Sequence, residues 1–180
     1  MGKKREKLLI VDGYNVIRSG RRYRAMRNNP DWTDDVLNKS REVLLNDVIS
    51  FAGRDYSAVI VYDAGMNDKS SGRRDRIGGV DIIFSPHGST ADKVIEKLAH
   101  DARMKGVETL VVSSDATIQD TVFGGGVDRM SADGFSQEIE MVEEDARIED
   151  HPKTVRKSTI GSRVNADTLA KLKALRDGLQ

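Results

Sequence analysis

Leu8-Leu9-Ile10-Val11-Asp12-Gly13-Tyr14-Asn15 is the stretch on which the fold turns. Its apolar run, residues 8–11, has no polar alternation, as expected of a strand inside a parallel sheet covered on both faces. Asp12 follows at once. Gly13 then suits a tight turn, and Asn15 brings a second polar group two residues on. An acid at the C-terminal end of a central parallel strand stands where open α/β sheets bind their ligands. The rest of the chain is therefore searched for acids that return to the same edge.

Two further strands end in the same way. Residues 57–62 are apolar and run into Asp63; residues 107–112 run into Ser113-Ser114-Asp115. Residues 80–84 form another short strand, and 127–130 a last one. Helices are expected over 33–52, 91–104, 116–123 and after Ser131. Asp31 or Thr33 would cap the first, with Leu37, Leu44, Val48 and Phe51 inward. Thr90 or Ser89 would cap the second, and Phe135, Ile139, Val142 and Ala146 would anchor the last. Alternating strands and helices imply an α/β domain: three layers, α/β/α, around a mostly parallel sheet of about five strands. Residues 1–6 read as a flexible basic leader and 7–150 as the domain. Residues 151–180 read as a basic linker and a short C-terminal helix.

The acids come together by topology. Asp12, Asp63 and Asp115 share the C-terminal edge of the sheet. Asp92, in the first turn of the 91–104 helix, is brought to that edge by its βα connection, with Glu96 on the same helix face. Gathered carboxylates repel unless a cation joins them, and Mg²⁺ or Mn²⁺ suits an all-oxygen site. The chemistry that follows is metal-assisted hydrolysis of a phosphodiester. Asn15, Thr90, Ser113 and Ser114 are candidates to position water or phosphate. One acid after a strand is commonly a helix cap or turn former; the recurrence carries the argument.

Other classes fit less well. With no cysteine, disulfides, zinc–thiolate sites and cysteine nucleophiles are excluded. The chain has no P-loop pattern, and Gly124-Gly125-Gly126 follows a helix, unlike a dinucleotide fingerprint. His87, His100 and His151 read as surface or turn residues. The apolar run at 8–11 is too short for a signal peptide or membrane span, so a soluble cytoplasmic protein is expected.

Formal net charge is zero, but it is unevenly spread. Arg18, Arg21, Arg22, Arg24 and Arg27 follow the Asp12 turn. Arg73, Arg74 and Arg76 follow Asp63 within a polar loop over 64–79. Loops rising from the acid edge would present these arginines to RNA phosphates, with Tyr14 or Tyr23 stacking on an unpaired base. The acidic segment 136–150 reads as a solvated face.

Together, Leu9–Ile17, Val61-Tyr62-Asp63-Ala64, Ser89–Glu96 and Ser113-Ser114-Asp115 resemble the YacP-like NYN-domain proteins, within the PIN-like nuclease superfamily. Gln119, Phe123-Gly124 and Ser131-Ala132 agree in order and spacing, and the resemblance covers roughly residues 8–148. It implies a PIN-like fold and a divalent-metal-dependent endoribonuclease. In the characterised branch of that group the enzyme acts with the ribosome and cuts mRNA in the decoding site. Carried over by motif, Asp12, Asp92 and Asp115 are the acidic metal-site residues, Asn15 their supporting polar group and Asp63 a further candidate. Lys93 departs from the pattern, standing where an acid is expected: either it contacts phosphate instead, or the site holds metal more weakly. It also leaves open a second reading, a non-catalytic RNA- or ribosome-binding protein on the same fold.

Overall fold

The computed structural model describes residues 7–29, 33–65 and 72–150. The expected leader, the 31 cap, part of the 64–79 loop, the 151–180 linker and helix, and His151 lie outside them. The chain divides into two compact units, residues 1–144 and 145–180. Of the second, only the end of one helix is described.

The elements follow one another as β1 (Lys7–Asp12), α1 (Gly13–Ser19), a 3-10 turn (Arg21–Tyr23), α2 (Arg24–Arg27) and α3 (Asp34–Ala52). Then come β2 (Tyr56–Tyr62), β3 (Arg74–Ile77), β4 (Val80–Phe84), α4 (Ala91–Met104), β5 (Glu108–Val112), α5 (Ala116–Val122), β6 (Val127–Met130) and α6 (Ala132–Asp150). The strands form one sheet in the order β3-β4-β2-β1-β5-β6. All neighbours are parallel except β3, which runs antiparallel to β4. The sheet has six strands rather than about five, because the expected loop ends in the edge strand β3.

The central strand explains its own composition. Leu9 and Val11 face one core with Val16, Leu44, Val48, Phe135 and Ile139 from α1, α3 and α6. Ile10 faces the other with Ile95, Ala99, Ile118 and Val122 from α4 and α5. Both faces are covered, so apolar residues are needed in succession. On α6 the expected stripe stops early: Phe135 and Ile139 are buried, whereas Val142 and Ala146 are exposed.

Chain order reverses direction across the sheet between β1 and β5. Strands β2 and β4 lie on one side of β1, and β5 and β6 on the other. Such a switch point opens a crevice at the C-terminal strand ends.

Gly13 has a different role from the turn expected of it. It opens α1 directly, without a left-handed backbone. A Cβ there would fall on the Tyr62 ring, 2.6 Å from Cδ1. Close approach of β1–α1 to β2 is therefore what excludes a side chain. Propensity alone would favour Gly13→Ala by up to about 1 kcal/mol. Overpacking against a buried ring typically costs about 1–3 kcal/mol. The substitution should lower unfolding free energy in urea denaturation; an unchanged or raised stability would contradict the contact.

Candidate active site at the carboxyl edge of the sheet

The acid edge is built at the junction of β1 and β5. Ser113 follows β5 and is fully buried. Its hydroxyl donates to Asp12 Oδ2 at 3.1 Å and accepts the Asp115 backbone N–H at 3.1 Å. Gln119 Nε2 donates to the Ser113 carbonyl at 2.6 Å. Asn15 Oδ1 accepts the Ser114 N–H at 2.7 Å, which binds the start of α1 to the loop after β5. Ser114 Oγ in turn accepts the Ala132 N–H at the start of α6, at 2.9 Å. Ser113, Ser114 and Asn15 thus hold the loops of the site in place, in addition to any contact with water or phosphate.

Each acid has a local reason for its position. Asp12 ends β1 and is 6% exposed. Asp115 caps α5, with Oδ1 accepting from Thr117 N at 2.8 Å and Ile118 N at 3.4 Å. Asp63 follows β2, accepts the Gly65 N–H at 2.7 Å and reaches the Ala91 N–H at 3.5 Å. Asp92 lies in the first turn of α4, behind the Thr90 cap, whose Oγ1 accepts the Lys93 N–H at 3.4 Å. The bland reading of such acids, as caps, is therefore true of Asp115 and does not remove it from the site.

Asp12, Asp63, Asp92 and Asp115 line one cavity of about 380 Å³ with Asn15 and Arg18. Glu96, a turn further along α4, is not among its described lining residues. Among the described residues, no three acidic, histidine or cysteine groups are gathered closely enough to hold one ion together. The acids share a basin rather than a finished cage. Their mutual repulsion is nonetheless felt. Burial pushes the Asp12 carboxyl up to about 6, aided by Asp92 and Asp115; the Ser113 hydroxyl and the Asn15 backbone N–H pull the other way. Asp92 is also raised, by burial and then by the charges of Asp115 and Asp63.

The basic residues divide. Arg18 lines the acid basin, and Arg24 is exposed on α2. The loop expected after the Asp12 turn is instead helical, and two of its arginines are claimed from within. Arg22 pairs with Asp47 at 2.8 Å and Glu143 at 2.5 Å. Arg21 pairs with Glu140, and its backbone N–H donates to Asp133 at 2.8 Å. Tyr23 is buried and donates its hydroxyl to Asp47 at 2.7 Å, so it is not placed to stack on a base. These contacts also correct the reading of 136–150 as merely solvated, since Glu140 and Glu143 fasten the basic segment.

Arg76 pairs with Asp81 at 3.0 Å, opposite each other in the β3–β4 register and towards the far end of β4 from the acid edge. Arg73 pairs with Asp75 at 2.8 Å. Arg74 and Lys93 line a separate groove with Lys97. Arg41 was not foreseen: it lies on the rings of Tyr14, Tyr62 and Phe84, 5.3 to 5.6 Å from their centroids. Mid-helix in sequence, nothing distinguishes it from a solvated arginine.

A six-stranded, mostly parallel α/β/α fold with acids at the switch point is the architecture of a PIN-like nuclease. The chain belongs to the YacP-like NYN domain family, which it matches over residues 9–177. It is 32% identical over 157 residues to the uncharacterized protein YacP of Bacillus subtilis (strain 168), covering 84% of this chain and 83% of that one. Two crystal structures of Rae1 (YacP) from Bacillus subtilis share the fold, each with a TM-score of 0.62. One, of a mutant, is 27% identical and covers 84% of this chain and 88% of that one. The other is 26% identical and covers 96% and 95%. Family membership assigns a nuclease-type function toward RNA. Among the described residues, no helix is long and apolar enough to cross a membrane.

The raised Asp12 carboxyl makes a signed prediction for the metal-free protein. Above pH 6 the group is charged in both states, and the folded state bears the whole burial penalty. As pH falls from 6 towards the ordinary value of 3.8, the folded state takes up the proton first and stability is gained. Asp12→Asn should therefore stabilise the chelator-treated protein at pH 8 by up to about 3 kcal/mol, with the gain vanishing near pH 4. Thermal melts across that range test it; a pH-independent difference would contradict it.

Proposed function

We propose that this protein is a divalent-metal-dependent endoribonuclease that cuts mRNA in association with the ribosome. The observation that carries the reading is the shared basin of Asp12, Asp63, Asp92 and Asp115, with Asp12 and Asp115 bridged by one buried hydroxyl. Family membership supports the nuclease class, and the resemblance to the ribosome-associated branch supports the substrate.

The donor set fits a hard cation. It is all oxygen and carries excess negative charge. The spread of the acids suits Mg²⁺ or Mn²⁺ held by one or two carboxylates with waters retained, as Mg²⁺ prefers. One or two of Asp12, Asp92 and Asp115 are the proposed holders, with Asp63 a further candidate on the same wall. When bound, the ion supplies Lewis-acid charge to the phosphate and a more acidic water. The chain's own part is positional. Ser113 fixes Asp12 relative to Asp115. Asn15 locks the loop after β5 to the start of α1. Arg18, on the wall of the same basin, offsets the phosphate charge that the acids would otherwise repel. Because the Asp12 carboxyl stands near 6 without a cation, binding of one expels a proton at mildly acidic pH.

Cleavage of an mRNA under translation, with Mg²⁺ or Mn²⁺ present, should be lost by about a hundredfold or more in Asp12→Asn and in Asp115→Asn, as for groups holding a catalytic charge. Ribosome co-sedimentation should persist in both variants. Equal cutting by wild type and variants would sink the proposed site. Co-sedimentation without cutting by wild type would favour the non-catalytic RNA- or ribosome-binding reading that Lys93 left open.

A further inference from the structure

The acid basin has a neighbour of opposite character. A cavity of about 670 Å³ is lined by Arg18, Arg27 and Arg41, with Tyr14, Asn38 and Asp63 among its other walls. Tyr14, Arg18 and Asp63 line both cavities, so the two adjoin. We propose that this cavity is a subsite for one unpaired nucleotide of single-stranded RNA, next along the strand from the phosphate at the acid basin. The proposal rests on the reading of that basin as an RNA-cleaving centre.

Arg41 carries the argument. Its guanidinium lies against three aromatic rings, donates to the Tyr14 hydroxyl and donates to Asn38 Oδ1 at 3.0 Å. Among the described residues it pairs with no carboxylate, although Asp34 and Asp63 line the same cavity. Its Nε is buried without a hydrogen-bond partner. An arginine held planar on aromatic faces is pre-organised for a phosphate or a base edge.

The remaining walls fit the rest of a nucleotide. Asp34, Asn38 and Arg41 follow one another along a single face of α3 and present a carboxylate, an amide and a guanidinium. These are the groups that read base edges. The volume is that of a pocket for a ligand of some twenty heavy atoms, within the usual range of roughly 300–1,000 Å³. A base enters such a recess only when splayed out of a duplex, which favours single-stranded RNA. Placement beside a repulsive acid basin adds a reason: the strand needs cationic contact close to its scissile phosphate.

The test is anisotropy of a fluorescent single-stranded hexaribonucleotide on the full chain in chelator, so that binding is read without cleavage. Arg41→Gln and Arg18→Gln should each weaken binding by about tenfold, the usual consequence of losing one such contact. Arg41→Lys should recover only part, because an ammonium has no planar fork. Asp12→Asn should bind at least as well as wild type. A duplex of the same sequence should bind more weakly and be indifferent to Arg41→Gln. Should Arg41→Gln prove unstable in thermal melts, Arg18→Gln, at an exposed side chain, and Asn38→Ala carry the test. Binding by these variants within twofold of wild type, equal losses on duplex, or no binding by wild type would each overturn the subsite. The two readings fail separately. Absent cleavage with binding still weakened by Arg41→Gln removes the nuclease and leaves the subsite. Metal-dependent cleavage with binding untouched removes the subsite and leaves the nuclease.

Discussion

One buried hydroxyl holds the candidate site together. Ser113 donates to Asp12 and accepts from the Asp115 backbone, joining residues 101 positions apart in the chain. The contact exists only because β1 and β5 are sheet neighbours, which in turn depends on the reversal of chain direction between them. Gln119 and Asn15 brace the same loop from two other directions. Fold and site are thus one construction: the crevice comes from the strand order, and its acids are fixed by the groups that close the loops around it.

The electrostatics of the edge follow from that construction. Burying Asp12 beside Asp92 and Asp115 is unfavourable by itself, as their raised carboxyls record. Isolated charges so placed protonate or acquire a counter-charge. Among the described residues, Arg18 lines the basin, and Arg41 and Arg27 line the adjoining cavity. Arg21 and Arg22 are spent elsewhere. Arg22 bridges Asp47 and Glu143, and with the Tyr23 hydroxyl on Asp47 it fastens the segment after α1 to α3 and α6. Asp47 is buried and Arg22 half-buried, so removing Arg22 leaves a carboxylate short of a partner, at a cost of about 1–3 kcal/mol. This network is therefore structural, and the charge left for RNA is more focused than the run of arginines suggests.

What was legible in the sequence follows a physical pattern. Apolar runs ending in acids revealed the parallel strands and their shared edge, because strand burial and strand-end chemistry are written in adjacent residues. The bounds of α4 came from its cap and the sequence around it, and β4 and β6 were read as short strands at the residues where they stand; these signals are also local. The misses all depend on distant partners. Gly13 reads as a turn until the Tyr62 ring is seen against it. Arg21 and Arg22 read as free until α6 folds back to meet them. Strand β3 is too short and charged to stand out, and is a strand because β4 gives it a ladder. The fate of Arg41 was hidden because its three aromatic partners come from α1, β2 and β4.

The central claim is that the acids at the β1–β5 junction form a divalent-cation basin. A crystal soaked in Mn²⁺ and measured for anomalous scattering tests it without any assay of turnover. The account predicts a peak within the basin, in contact with Asp12, Asp92 or Asp115 and otherwise ringed by waters. A peak confined to other surface acids, or an empty basin at saturating Mn²⁺, would contradict it.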